Sequence, residues 1–248
     1  MGGDETGRTD GARGAVTPPV QPGEPATPGP LAAGEFGAWL REIRLALRDD
    51  RDTDVACGSC TACCTSSYFV TLRPTDVAAR RLVPTSLLVP APGAPPGTLV
   101  MGYDARGHCP MLRDGRCSIY ADRPQTCRTY DCRVYAAAGI GPGADKPAIG
   151  ARVKQWEFAY ASAEARREHE AVKRAAQFIR NDATSFPPGS APSRPAEVAV
   201  AAVKAYEAFL GVEIPDDREG RRRLAERVVE RLRAFERGRA GEVQAGEG

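Results

Sequence analysis

Apolar residues along the chain are spaced in two ways. Phe36, Leu40, Ile43 and Leu47 recur every three or four positions with Trp39 beside them, which predicts an amphipathic helix starting near Gly34. Asp49, Asp50, Asp52 and Asp54 follow, and because acids oppose the dipole at a helix C-terminus, the helix is expected to stop before them. Helical spacing returns later. Val153, Trp156, Phe158 and Tyr160 open a polar-rich helical segment running to Phe178 and Ile179. Residues 198–210 predict another helix, and Leu224, Val228, Leu232 and Phe235 form the stripe of a last one opening near Asp216 or Asp217.

The middle of the chain has only short apolar runs. Residues 68–72 and 98–103 predict strands. Thr75 is placed to cap a short helix carrying Val77, Ala78 and Leu82. Residues 84–98 hold five prolines and two glycines and predict an exposed loop. Asp114-Gly115 between two short runs is a tight-hairpin signal that sets Leu112 opposite Cys117. Asp122 followed by Arg123-Pro124 predicts a helix start, with Cys127 in the early turns and Cys132 at i+5 on the same helix. Gly139, Gly141 and Gly143 end it.

Composition adds the ends and the compartment. Residues 1–33 contain thirteen Gly or Pro and almost no bulky apolar side chain, the composition of a solvated tail. The expected organisation is that tail, a cysteine-bearing domain over 34–146, a helical segment over 147–183, a linker over 184–195, a helical extension over 196–238 and a short disordered tail over 239–248. The class is α+β: a small metal-centred cysteine-rich domain with short strands and a β-hairpin, flanked by α-helices. A net charge of +2 gives no general attraction to nucleic acid or acidic membrane. No run of about 18 apolar residues predicts a span, and the early acidic N-terminus lacks a signal-peptide core. The chain is therefore expected to be cytoplasmic, where thiols stay reduced and clustered cysteines favour metal over disulfides. A four-disulfide framework would need an oxidising compartment.

All eight cysteines lie between residues 57 and 132. They are spaced Cys57-x2-Cys60-x2-Cys63-Cys64, then a 44-residue gap, then Cys109-x7-Cys117-x9-Cys127-x4-Cys132. Soft thiolates suit zinc or an iron–sulfur cluster far better than Mg²⁺ or Ca²⁺. A Cys-x2-Cys turn aims two sulfurs at one metal, and the triple x2 spacing is similar to the run that wraps a cubane cluster in bacterial ferredoxins, without the fourth cysteine and proline of that pattern. Neighbouring side chains diverge, so Cys63 and Cys64 are expected to point to different places. Eight sulfurs allow two four-ligand sites, one larger cluster, or one site with spare thiols. Arg116, Arg123, Arg128 and Arg133, interspersed with the later cysteines, are placed to offset thiolate charge or to be ordinary surface arginines.

With these, Cys109-Pro-x-Leu, Gly115-Arg-Cys117-Ser-Ile-Tyr120, Arg123-Pro124 and Cys127-Arg128 make an ordered set that resembles the YkgJ-type cysteine-cluster family. The resemblance covers about residues 55–135 and implies zinc or iron chelation by a CxxCxxCC domain, with no reaction attached. A similar cysteine block in flagellin lysine methylases is linked to an iron–sulfur cluster, so the alternative is an iron–sulfur enzyme or redox protein such as a protein methylase.

Other motifs are weak. Gly139-x-Gly141-x-Gly143 follows a predicted helix rather than a strand, the wrong context for a phosphate loop. His108 reads as a turn residue and His169 as a solvated helical one. Gly-x-Ser-x-Gly, a Walker loop and His-Glu-x-x-His are all missing, so catalysis is not legible.

Overall fold

In a computed structural model of the protein, residues 29–245 are described apart from Asp54 and residues 56–58, with side chains described to residue 238. The expectations for residues 1–28, for Cys57 and for 246–248 lie outside these.

The helical stripes assemble into one body. Strand β1 (Leu31–Glu35) leads directly into helix α1 (Phe36–Asp49), whose first amides are capped by the Glu35 carboxylate, at 3.0 Å to Gly37 N and 2.6 Å to Ala38 N. Helices α6 (Ala163–Asn181), α7 (Pro195–Ala205) and α8 (Arg218–Ala245) pack with α1, and α4 (Arg133–Ala138) packs on α6 and α7. Phe36, Leu40, Tyr135, Phe178, Ile179, Phe209, Leu224 and Val228 are fully enclosed in that core. Ser162 caps α6 through Ala165 N at 3.1 Å.

A second, smaller core lies in the middle of the chain. Strands β2 (Val70–Leu72), β3 (Leu88–Pro90) and β4 (Leu99–Met101) form an antiparallel sheet in the order β2-β4-β3. With the short helix α2 (Val77–Leu82) they bury Leu72, Ala79, Val83, Met101, Met111 and Ile119. The hairpin of β5 (Leu112–Arg113) and β6 (Arg116–Cys117) sets Leu112 opposite Cys117, as its turn predicts. Asp114 and Gly115 both take positive φ, 48° and 71°, as a type I′ turn requires. Helix α3 (Gln125–Arg128) completes this part.

The structure departs from the sequence reading in several places. Ordered backbone begins before Gly34, because Leu31–Glu35 pairs in parallel with β7 (Trp156–Ala159). Trp156 and Phe158 thus belong to a strand, not to the start of α6, and a separate helix α5 (Pro147–Val153) precedes them. Helix α1 reaches Asp49, whose carboxylate meets Arg48 and Arg51 at 3.1 and 2.8 Å, which offsets the dipole penalty. The proline-rich stretch 84–98 is not all loop, since Leu88–Pro90 is an edge strand whose proline sits at its end. Asp76 rather than Thr75 precedes α2, and its carboxylate is used elsewhere. Cys127 lies in α3 whereas Cys132 is the N-cap residue of α4, because Asp131 accepts Arg133 N at 2.9 Å and starts α4 anew. His169 is 5% exposed, not solvated. Residues 239–245 continue α8 rather than forming a tail. The cores also cut across the expected domains, for α1 and α4 join the helical body although the sequence assigned them to the cysteine domain. No helix among the described residues is long and apolar enough to cross a membrane.

Candidate metal centre

Three separated segments bring cysteines to one cavity of about 720 Å³. Cys60, Cys63 and Cys64 come from the loop after α1, Cys109 and Cys117 from the hairpin region, and Cys127 from α3. Local backbone chemistry holds each segment. Cys63 and Cys64 open a 3₁₀ turn (Cys63–Thr65) closed by the Ser66 hydroxyl on Ala62 O at 2.6 Å and the Thr65 hydroxyl on Thr61 O at 3.2 Å. Cys109 N donates to Cys64 O at 2.7 Å, which joins the two cysteine blocks directly. Ser67 N donates to Gly107 O at 2.9 Å beside it, and a Cβ on Gly107, at φ 78°, would meet Ser67 Oγ at 2.3 Å.

Helix α3 is fastened from three sides. Asp76 accepts Gln125 N at 2.7 Å with one carboxylate oxygen and Arg73 N at 2.7 Å with the other. The Thr126 hydroxyl donates to Thr71 O at 2.9 Å, tying α3 to β2. Gln125 Nε2 donates to Asp50 O at 2.6 Å, tying it to the end of α1. Such contacts over long sequence separations set where Cys127 stands.

Cys63 and Cys64 do not diverge. Their sulfurs lie 4.0 Å apart and both line the cavity. Two thiolates on one tetrahedral zinc stand about 3.8 Å apart, from Zn–S bonds of about 2.3 Å. The 3₁₀ turn lets neighbours face the same way, which extended backbone would not. Among the described residues, however, no three Cys, His, Asp or Glu side chains already converge as the donors of one ion. The sulfurs stand around a wide space instead.

Cys132 is placed apart. It is not among the cavity residues, its sulfur accepts Trp156 Nε1 at 3.2 Å, and it packs on the helical core. None of the seven described cysteines is in a disulfide. Of the four arginines, Arg116 and Arg123 line the cavity. Arg128 pairs with Asp52 at 3.1 Å and Arg133 with Asp131 at 2.8 Å. His108 lies in the turn that its amide makes to Asp104 Oδ1 at 2.9 Å.

The thiol chemistry fits a soft cation. Burial pushes the Cys127 thiol up to about 12, with the neighbouring Cys63, Cys109 and Cys117 adding to the effect and Arg123 opposing it. Burial also raises Cys109, against hydrogen bonds to its sulfur from the Met111 and Leu112 amides. The contact between the Cys63 and Cys64 sulfurs draws Cys63 down and pushes Cys64 up. Burial thus disfavours the thiolate form at Cys109 and Cys127. A Zn²⁺ or iron centre supplies the positive charge that lets several thiolates share one space.

Sequence reasoning missed the other walls. Tyr68, Phe69, Met111, Tyr120 and Tyr130 line the cavity between the cysteines. The Tyr68 and Tyr130 rings meet edge-on at 5.8 Å, and Lys146 Nζ lies 4.8 Å from the Tyr68 ring centre. In the sequence Tyr120 stands out only within the Gly115–Tyr120 run and Tyr68 and Phe69 only as the start of a strand, while Tyr130 stands three residues after Cys127.

Residues 56–156 match the CxxCxxCC family model, described as "Putative zinc- or iron-chelating domain". No curated protein and no solved structure matches the chain.

Proposed function

We propose, from the match of residues 56–156 to a zinc- or iron-chelating domain, that this protein is a metal-binding protein whose centre forms in the cysteine-lined cavity. The observation that carries the reading is the meeting of six cysteines from three segments around one space. The donors proposed are Cys60, Cys63, Cys64, Cys109, Cys117 and Cys127, with Cys57 joining them through the Cys-x2-Cys run. Cys132 is proposed as a packing residue near the centre.

The centre holds more than one metal atom in this reading. A single tetrahedral ion needs four donors, and the cavity offers six. A single ion also displaces only about the volume of a water, about 30 Å³, which the thiols would have to collapse around. An iron–sulfur cluster or a thiolate-bridged zinc pair uses such a spread donor set without collapse. Arg123, whose charge favours the thiolate at both Cys63 and Cys127, offsets part of the negative charge.

Anaerobic purification followed by metal and acid-labile sulfide analysis, with a visible spectrum, tests this. Expected is two or more zinc or iron atoms per chain, and labile sulfide if the metal is iron. One metal atom per chain refutes the multinuclear centre, and metal-free protein with seven or eight titratable thiols refutes chelation altogether.

A further inference from the structure

The cavity has more room than a metal centre uses, and cysteines are not its only lining. Its volume of about 720 Å³ lies within the range of about 300–1,000 Å³ typical of small-molecule sites. Tyr68, Phe69 and Tyr120 line it as well as the cysteines. Phe69 is 64% exposed and Tyr120 is 50% exposed, unusual for large rings at the rim of a concave site. Phe69 leans on Tyr103 at 5.1 Å between ring centres, so the rim is a small aromatic shelf.

Two cations serve this shelf. Arg116 and Arg123 line the cavity, and neither makes an ion pair among the described residues. Arg123 is held in place without a carboxylate: its guanidinium lies 3.7 Å from the Tyr120 ring centre and its Nε donates to Tyr120 O at 2.9 Å. Its terminal nitrogens make no hydrogen bond or ion pair among the described residues. A fixed guanidinium against an aromatic ring at an apolar cavity recognises a planar anion with an apolar body.

We infer that the cavity is also a binding site for a small organic anion, with its charge at Arg116 and Arg123 and its apolar body on Phe69 and Tyr120. This rests on the metal reading only in that the cysteine wall is taken to be filled by the metal centre. A carboxylate or sulfonate on an aromatic or aliphatic frame has the chemistry required. An inorganic anion would leave the shelf uncovered, and a neutral apolar molecule would leave the guanidiniums unpaired.

The test uses the full, metal-loaded chain and two fluorescent probes with nearly the same frame: 1-anilinonaphthalene-8-sulfonate, an anion, and N-phenyl-1-naphthylamine, which is neutral. Titrations are run on the parent protein, on the R116M/R123M double variant and on Phe69→Ala, with metal content measured in every sample. Expected is one saturable site per chain for the sulfonate. The double arginine change should weaken the sulfonate about tenfold or more and the neutral probe less than about threefold. Phe69→Ala should weaken both. No saturable site, or equal loss of both probes in the double variant, overturns the inference. So does loss of sulfonate binding that is fully restored by reloading metal into the double variant, since the guanidiniums would then serve only the thiolates. If the parent chain holds no metal and the discrimination between probes persists, the metal reading fails and the anion site stands.

Discussion

Replacing Asp131 should be the most damaging single change in the helical body, and its cost follows from what the side chain holds. The carboxylate is 1% exposed and accepts Trp39 Nε1 at 3.0 Å, Arg133 N at 2.9 Å, Arg133 Nε at 3.0 Å and Arg133 Nη2 at 2.8 Å. Arg133, 12% exposed, reaches on to Ala33 O at 3.1 Å. One carboxylate therefore joins α1, α4 and β1. Asp131→Asn keeps the shape but removes the charge and turns an amide NH₂ toward donors. Breaking a buried pair while leaving its partner costs about 3–5 kcal/mol. For a chain of this length that is a fall in melting temperature of about 6–20 °C. Denaturant unfolding of D131N, R133M and the double variant measures it. Arg133→Met should cost less in the D131N background than alone, with a coupling of at least about 1.5 kcal/mol. A cost below about 1 kcal/mol for D131N, or strict additivity, would refute the reasoning.

Three further outcomes are expected. Cys60→Ser and Cys127→Ser should each reduce bound metal strongly, because serine is a poor soft-metal donor, whereas Cys132→Ser should leave metal content near that of the parent; elemental analysis of the purified variants checks this. His169 is buried against Phe36 at 4.2 Å between ring centres, accepts or donates with the Tyr160 hydroxyl at 2.6 Å, and is held down to about 4 first by burial and then by the Lys173 charge. Its folded pKa is depressed, so its contribution is present above about 6.5 and is lost as pH falls through 6.5 toward 4, by at most about 3 kcal/mol; His169→Gln should flatten the stability profile in that window, and an unchanged slope counts against it. Stripping the metal with a strong chelator under reducing conditions should raise amide exchange in residues 59–132 and spare α6 and α7, since the smaller core buries only six apolar side chains; equal exchange in both parts would contradict it.

Local signals carried the features that close within a few residues. Asp114-Gly115 specified its own turn and thereby the Leu112–Cys117 register. The stripe from Leu224 to Phe235 specified a helix, and Leu224 and Val228 are fully buried. What failed depended on distant partners. Trp156 and Phe158 read as a helix start because bulky apolar residues fit either period over so short a run, and only Leu31–Glu35 alongside makes them a strand. The break between Cys127 and Cys132 needs the Trp39 and Arg133 donors that Asp131 gathers. The cysteines announced a soft-metal site, but the turn that aims Cys63 and Cys64 the same way, and the aromatic wall facing them, follow from packing that spacing does not encode.

The chain enters and leaves the cysteine-bearing part at one point. Thr53 N and its hydroxyl both bond to Arg128 O, at 3.0 and 2.9 Å. The described residues 59–127 leave and rejoin, near this junction, a body whose own core lies in α1, α4, α6, α7 and α8, with Ala62, Cys63 and Tyr68 also resting on that core. Joining the ends of a free loop of that length costs roughly 4 kcal/mol of entropy, and here the helical body meets that cost before any metal arrives. The arrangement is that of an inserted cassette that also leans on the body through Ala62, Cys63 and Tyr68, so a short Gly-Ser bridge in its place should leave the body folded but with a lower melting temperature.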